Sequence, residues 1–400
     1  MKIDPRAACR IVLERRSDDL ISLSHRIHAE PELAFAEHRS AAAVAAMVED
    51  AGFTVERGVA GLDTAFTARY GRGDLVVGLC AEYDALPGIG HACGHNIIAA
   101  ASTGAALALA AVADQLGITV ALFGTPAEES GGGKVLMLER GVFDGVAMAM
   151  MVHPAPRETC AAPSLALTDL EVRYTGKESH AAYAPERGVN AADALTVAQI
   201  AIGLGRQHME PGQMVHGIVT LGGAAPNIVP ADTRALYYLR APDVESLQRL
   251  ESRIRDCFMA GAIASGCEHE VVQVSPVYAE LRPDGWLAAA YRTAVMSLGR
   301  VPEAPGSERN RPLGSTDMGN ITYALPAIHP TIAIDCGEAV NHQPGFTSAC
   351  VTVSADRAVL DGALAMAWTA VAAAIDDEQR GRLISAVTAR ASRAVAGGAT

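Results

Sequence analysis

Near residue 165 the rhythm of the chain changes, and that change restricts the architectures open to it. Before it, apolar runs at 64–70, 75–80, 118–123 and 146–152 are separated by helix-like stretches at 94–116 and 133–140. Two helical segments, 5–29 (stopped by Pro31) and about 34–50, precede them. Strand and helix alternating at this spacing predict a mainly parallel sheet with helices on both faces. From 165 to 276 the order becomes strand (165–175), helix (188–209), two strands (215–221, 233–240), helix (243–264) and strand (269–276). Such a β-α-β-β-α-β run is a complete split module with one antiparallel sheet, so it reads as an insertion. The α/β pattern resumes with helix 284–298, strand 331–334 and helix 353–375. A chain of 400 residues exceeds what one core usually organises. The expected layout is a discontinuous α/β domain, 1–166 and 278–400, interrupted by an α+β domain, 167–277.

Bulk properties exclude more than they identify. A net charge of −13 argues against nucleic acid and anionic membrane as partners. The opening MKIDPRAACR has no secretory apolar stretch, and the alanine-rich runs 99–113 and 363–375 look too short and interrupted to span a bilayer. Eight scattered cysteines do not form a disulfide framework, so the cytoplasm is the simplest location. The one low-complexity element is the alanine-rich C-terminal tail.

Chemistry concentrates in the loops that follow the strands. In AEYDALPGIGHACGHN (81–96), Asp84 follows strand 75–80 at its carboxyl end, where open α/β sheets place their ligands. Cys93 and His95 come just before a helix, whose N-terminus favours thiolate over thiol and would prepare Cys93 as a ligand. After strand 118–123 comes GTPAEESGGGK, with the adjacent pair Glu128 and Glu129. Two neighbouring carboxylates in a dry cleft require a positive charge beside them, which a metal supplies. One can then ligate while the other holds water. The glycines are not a phosphate loop, because Val135 stands where Ser or Thr is needed. His153 ends the apolar run 146–152, and His342 lies in VNHQPGF downstream of strand 331–334. Singly, each of these groups has an ordinary structural explanation. Together, Cys93, His95, Glu129, His153 and His342 make five ligands in one domain, enough for two cations with open positions. His180, in the inserted module, could serve as a donor to a developing oxyanion.

The segments EYDALPGIGHACGHN, TPAEESGGGK, MVHP, GKESHAAYAPERGVNAADA, APNIVPADT and GSTDMGN resemble the aminoacylase and carboxypeptidase superfamily of dinuclear metallohydrolases. The nearest branch contains indole-acetyl-amino-acid hydrolases and p-aminobenzoyl-glutamate hydrolase, and the likeness runs over nearly the whole chain in order. It implies a catalytic α/β domain interrupted by a ferredoxin-like lid that also makes a homodimer. It implies two divalent ions, zinc or manganese, on Cys93, His95, Glu129, His153 and His342, with Glu128 as general base. His180 matches a lid histidine that reaches the partner subunit's site and polarises the scissile carbonyl. Asn227 matches a substrate-binding residue, Arg240 could meet a substrate carboxylate, and Asp84 orients a ligand. Asn96 and Ile98 replace the Asp and His that often continue the metal loop, and Asp317 in STDM replaces part of Glu-Asp-Phe. These departures bear on the substrate more than on the mechanism.

The expected activity is therefore metal-dependent hydrolysis of an amide in an N-acyl amino acid or small dipeptide. Two rivals remain on sequence: a metal-independent cysteine hydrolase using Cys93, and a non-catalytic metal- or peptide-binding protein on the same scaffold. The acyl group and amino acid are not legible.

Overall fold

A computed structural model describes residues 3–307 and 312–397. They form two compact units, one within residues 3–163, 281–307 and 312–397, the other from 164–280.

The first unit opens with helix α1 (Pro5–Ala29), capped by Asp4 with Pro5 in its first turn, where a missing N–H costs nothing. Helix α2 (His38–Asp50) starts later than the expected residue 34, because Phe35 takes a left-handed φ of 61°. Strands β1 (Thr54–Arg57), β2 (Phe66–Gly71) and β3 (Leu75–Ala81) follow. Then come α3 (His95–Ala110), α4 (Ala113–Leu116), β4 (Ile118–Gly124), α5 (Gly133–Glu139), β5 (Met148–Met150) and β6 (His153–Ala155). β4 is buried at every residue and β3 at all but one, as a strand covered on both faces must be.

The second unit holds β7 (Ala166–Thr175), α6 (Ala191–Gly205), β8 (Met214–Leu221), β9 (Asp232–Ala241), α7 (Val244–Ser265) and β10 (Glu268–Gln273). Its sheet runs β10-β7-β9-β8, antiparallel throughout. Every second residue of β9 is buried, the period-two signature of a sheet with one covered face. Leu170, Tyr174 and Leu239 of the strands share a core with Leu250, Ile254 and Phe258 of α7. Leu167 and Tyr278 exchange backbone hydrogen bonds of 2.9 Å in both directions, which ties the module's ends together. The unit therefore extends three residues beyond the expected 167–277 at each end.

The first unit resumes with α8 (Gly285–Ser297), α9 (Met318–Ala324), β11 (Ala327–Ile328), β12 (Thr331–Ala333), α10 (Pro344–Ala349), α11 (Val353–Ile375) and α12 (Asp377–Gly397). Its main sheet has the order β1-β2-β4-β3-β5-β11, parallel from β4 to β11 and antiparallel at the β1 edge. The expected strand 331–334 does not join it. β12 instead pairs with β6 in a separate two-stranded parallel sheet, since Pro330 and Pro154 lack the N–H that a central strand needs. The alanine-rich tail is helical as far as residue 397. α11 extends N-terminally beyond the run 363–375 and is, contrary to expectation, long and apolar enough to cross a membrane. It packs against α1, α3 and α8, with 78% of its apolar window buried.

Candidate metal centre

Three parallel strands deliver the site at their carboxyl ends. Glu82 and Asp84 follow β3, the loop 125–132 follows β4, and His153 follows β5. Cys93 and His95 flank Gly94 at the start of α3. Gly94 has φ 76°, and a Cβ there would stand 2.5 Å from Pro154 Cγ, so only glycine lets this turn seat against β6. His342 also takes a left-handed φ, 67°, while its N–H donates to Ala92 O. An imidazole held in so costly a conformation beside the Cys93 loop marks a constrained site.

All five expected ligands converge. Cys93, His95 and His153 form one group whose ligand atoms lie within 4.8 Å of one another, and Cys93, Glu129 and His342 form a second. Cys93 belongs to both. His342 Nε2 lies 3.0 Å from Cys93 Sγ and 3.5 Å from Glu129 Oε2. The His342 side chain is 59% exposed whereas that of His95 is fully buried, so one side of the cluster opens outward. His91, the first residue of the HACGH run, is in neither group; it is buried with its ring stacked on His28.

Two of the three imidazoles, His153 and His95, are oriented by their other nitrogen. His153 Nδ1 donates to Pro154 O at 2.8 Å, which leaves Nε2 as a lone-pair donor. Burial, reinforced by His329, holds the His153 imidazole down to about 3, neutral as a ligand must be. His95 Nδ1 sits 3.0 Å from Asp84 Oδ1, and the other oxygen of Asp84 accepts the Glu129 N–H at 2.9 Å. One carboxylate thus fixes a ligand from each loop. His95 Nε2 is buried without a hydrogen-bond partner and faces Glu82, Glu128 and Glu129 at 3.5, 3.8 and 4.0 Å. An unpartnered nitrogen aimed at three carboxylates fits a cation between them, and sulfur, imidazole and carboxylate are the donors zinc and manganese accept.

The charges agree. Burial would lower the His95 imidazole, but Asp84 overrides it and holds it well above its usual range. Burial and the charges of Glu82 and Glu129 push Glu128 far up. Burial, with Glu129, pushes the Cys93 thiol well above its usual range too. The helix N-terminus therefore does not prepare a thiolate by itself, which corrects that expectation and weakens Cys93 as a metal-free nucleophile; a cation has to displace its proton.

Sequence reasoning gave no place in the site to four neighbours, Glu82, Lys134, Asp317 and His329. Lys134 Nζ lies 2.5 Å from Glu82 Oε1 and 2.6 Å from Asp317 Oδ1, all three side chains fully buried. His329, at the end of β11, packs its ring 5.4 Å from that of His153, with both nitrogens buried and without protein partners. A signal for Glu82 existed, since two residues before Asp84 on an extended chain is the same face.

His180, Asn227 and Arg240 lie in the second unit. His180 is exposed; its Nδ1 accepts from the N–H groups of Ala182 and Tyr183, so the neutral ring carries its proton on Nε2 as a donor. The Ala181 N–H donates to Asn227 O, which places His180 and Asn227 on adjoining loops. Arg240 is on β9, its guanidinium 5.8 Å from the Tyr238 ring.

Comparison with known proteins agrees with this geometry. Residues 78–356 match the model of peptidase family M20/M25/M40. The chain is 38% identical over 381 residues to the Xaa-Arg dipeptidase of Mus musculus, covering 92% of this chain and 88% of that one. It is 35% identical over 253 residues to a p-aminobenzoyl-glutamate hydrolase chain of Escherichia coli K12, covering 58% and 53%. A dinuclear metal-binding M20 peptidase from Bacillus subtilis shares the fold, with TM-score 0.67 at 22% identity over 90% of this chain and 99% of that one. So does an aminobenzoyl-glutamate utilization protein from Klebsiella pneumoniae, with TM-score 0.69 at 19% identity over 89% and 96%. The chain therefore belongs to peptidase family M20/M25/M40 and is a metal-dependent hydrolase of amide bonds.

Proposed function

We propose that the chain cleaves the amide of a small dipeptide or N-acyl amino acid with the help of two divalent cations, which Cys93, His95, Glu129, His153 and His342 would hold. The observation that carries this reading is the pair of ligand groups, Cys93/His95/His153 and Cys93/Glu129/His342, meeting at one atom with Glu128 alongside. The thiolate favours zinc, while carboxylate and imidazole with an open side accept manganese. Cations held there would acidify water and polarise the scissile carbonyl. Glu128 accepts the proton from the attacking water as its oxygen bonds to the carbonyl carbon, then delivers that proton to the departing amine as the C–N bond breaks. Asp84 keeps the His95 ring and the Glu129 backbone in place throughout.

The His180 tautomer supports its role as a donor to the carbonyl oxygen, contributed by a partner subunit as the family resemblance implies. Asn227 and Arg240 are the proposed contacts to the substrate's polar end. The similarity to an Xaa-Arg dipeptidase over 92% of this chain favours dipeptides as the substrate class. A homodimer through the inserted unit is supported by the edge strand β8, which exposes Ile218 and Val219, and by exposed Ile200 and Leu204 on α6. Eight free thiols favour a reducing compartment, the cytoplasm.

The test is a panel of dipeptides and N-acyl amino acids, assayed on protein stripped with chelator and then reloaded with zinc or manganese. Turnover should vanish on stripping and return on reloading. Turnover that persists in chelator would assign the chemistry to a metal-free thiol.

A further inference from the structure

We propose that Glu82 is an additional carboxylate of the cation site, and that Lys134 and Asp317 are the positioning residues that hold it there; this rests on the dinuclear reading above. Glu82 follows β3 directly and is fully buried. Its Oε1 meets Lys134, while its Oε2 has no hydrogen-bond partner and stands 3.5 Å from the equally unpartnered Nε2 of His95. Glu82, His95 and Glu128 present ligand atoms within 4.8 Å of one another, a third group beside the two that share Cys93.

The charges around it do not cancel. Counting Glu82, Asp317 and Lys134 alone, one ammonium between two carboxylates leaves one negative charge, which a proton or a cation at His95 Nε2 must meet, in a place with no solvent access. Buried charge without a counter-charge is strongly destabilising. The excess faces the His95 nitrogen and not the bulk. A cation on the His95 side removes the deficit, so Glu82 belongs to that site and not to the one opened by His342. Lys134 then has two effects. It binds one oxygen of Glu82, which aims the other, and it halves the charge that the cation would otherwise meet. Asp317 fixes Lys134 twice, at Nζ and through the Lys134 N–H donated to Oδ2 at 2.9 Å.

Two substitutions separate this from a structural ion cluster, because they should move cation affinity in opposite directions. Full-length apo protein is titrated with zinc in competition with a chromogenic chelator, and its unfolding is followed with and without the metal. Glu82→Gln, which keeps shape and removes charge, should weaken the tighter of the two binding events about tenfold or more while leaving the other in place. Lys134→Met should strengthen binding, because Glu82 stays confined by its complete burial while the ammonium's repulsion of the cation is lost, and it should widen the gap in unfolding temperature between zinc-loaded and apo protein. A purely structural cluster predicts lower apo stability in both variants with affinity unchanged or lowered in both, and that result overturns the proposal. If Glu82→Gln does not fold, Lys134→Met decides alone: tighter zinc supports the assignment and equal or weaker zinc ends it. Wild-type protein that binds no stoichiometric zinc would instead remove the dinuclear reading beneath it.

Discussion

The cation cluster and the inserted sheet obey local rules to opposite degrees. In β9 each buried residue alternates with a more exposed one, the core side chains are mostly apolar, and Asp243 caps α7 by accepting from the Ser246 N–H at 2.7 Å. Sequence pattern and burial agree there. At the carboxyl ends of β3 and β4, buried carboxylates crowd one another, a buried imidazole nitrogen lacks a partner, and His342 and Ala127 adopt left-handed backbones. A fold that crowds unmet ionisable groups and strained backbone at a single place is holding that place for a ligand. The core of the inserted unit, between its sheet and α7, shows what the same chain does where only packing is at stake.

That contrast can be broken most sharply at Glu128. Glu128→Gln should lower kcat by about 10³-fold, within the 10²–10⁴ span of general acid–base contributions, with bound metal unchanged in elemental analysis. Retained turnover would mean the crowding serves something other than proton transfer. In the inserted unit the matching experiment is Phe258→Ala, at a fully buried ring in the α7 core. It should cost about 3–5 kcal/mol of stability in denaturant unfolding while cation stoichiometry stays the same. Asp243→Ala, which removes the α7 cap, should cost about 1 kcal/mol in the same assay and again leave the cations alone.

The smallest effect is a pH dependence at Glu32, whose backbone carbonyl accepts from the Ala85 N–H at 2.8 Å. Burial would raise its carboxyl, but hydrogen bonds from the Arg39 and Ser40 backbones, the Ser40 hydroxyl and the Arg39 guanidinium outweigh it and hold it below its usual 4.5. A carboxyl lowered by folding contributes stability that is present above its unfolded value and is lost as pH falls through its folded value. The difference in melting temperature between wild type and Glu32→Gln should therefore be constant near neutral pH and shrink below about pH 4.5. A difference independent of pH would show that shape, and not charge, accounts for these contacts.

Much of this was legible from residues alone because it is local. Hydrophobic period placed the longer strands and most helices within a few residues, though it did not find β1, β6, β11, α9, α10 or α12, and five donors stood out because each follows a strand or opens a helix. What was illegible depends on partners distant in sequence. Lys134 reads as an ordinary lysine after a glycine run until Glu82 and Asp317, 183 residues further on, close around it. His329 reads as the end of an apolar strand until the pairing of β12 with β6 sets it beside His153. The Cys93 thiol was misjudged for a similar reason: the helix N-terminus is visible in sequence, but the burial and the Glu129 charge that outweigh it are not.

The most direct test is crystallographic. Crystals of active protein, measured on either side of the zinc and manganese absorption edges, should show two anomalous peaks per chain among Cys93, His95, Glu129, His153 and His342, one toward His153 and the other toward His342. A fully active protein with one peak, or with peaks away from these five residues, would contradict the account.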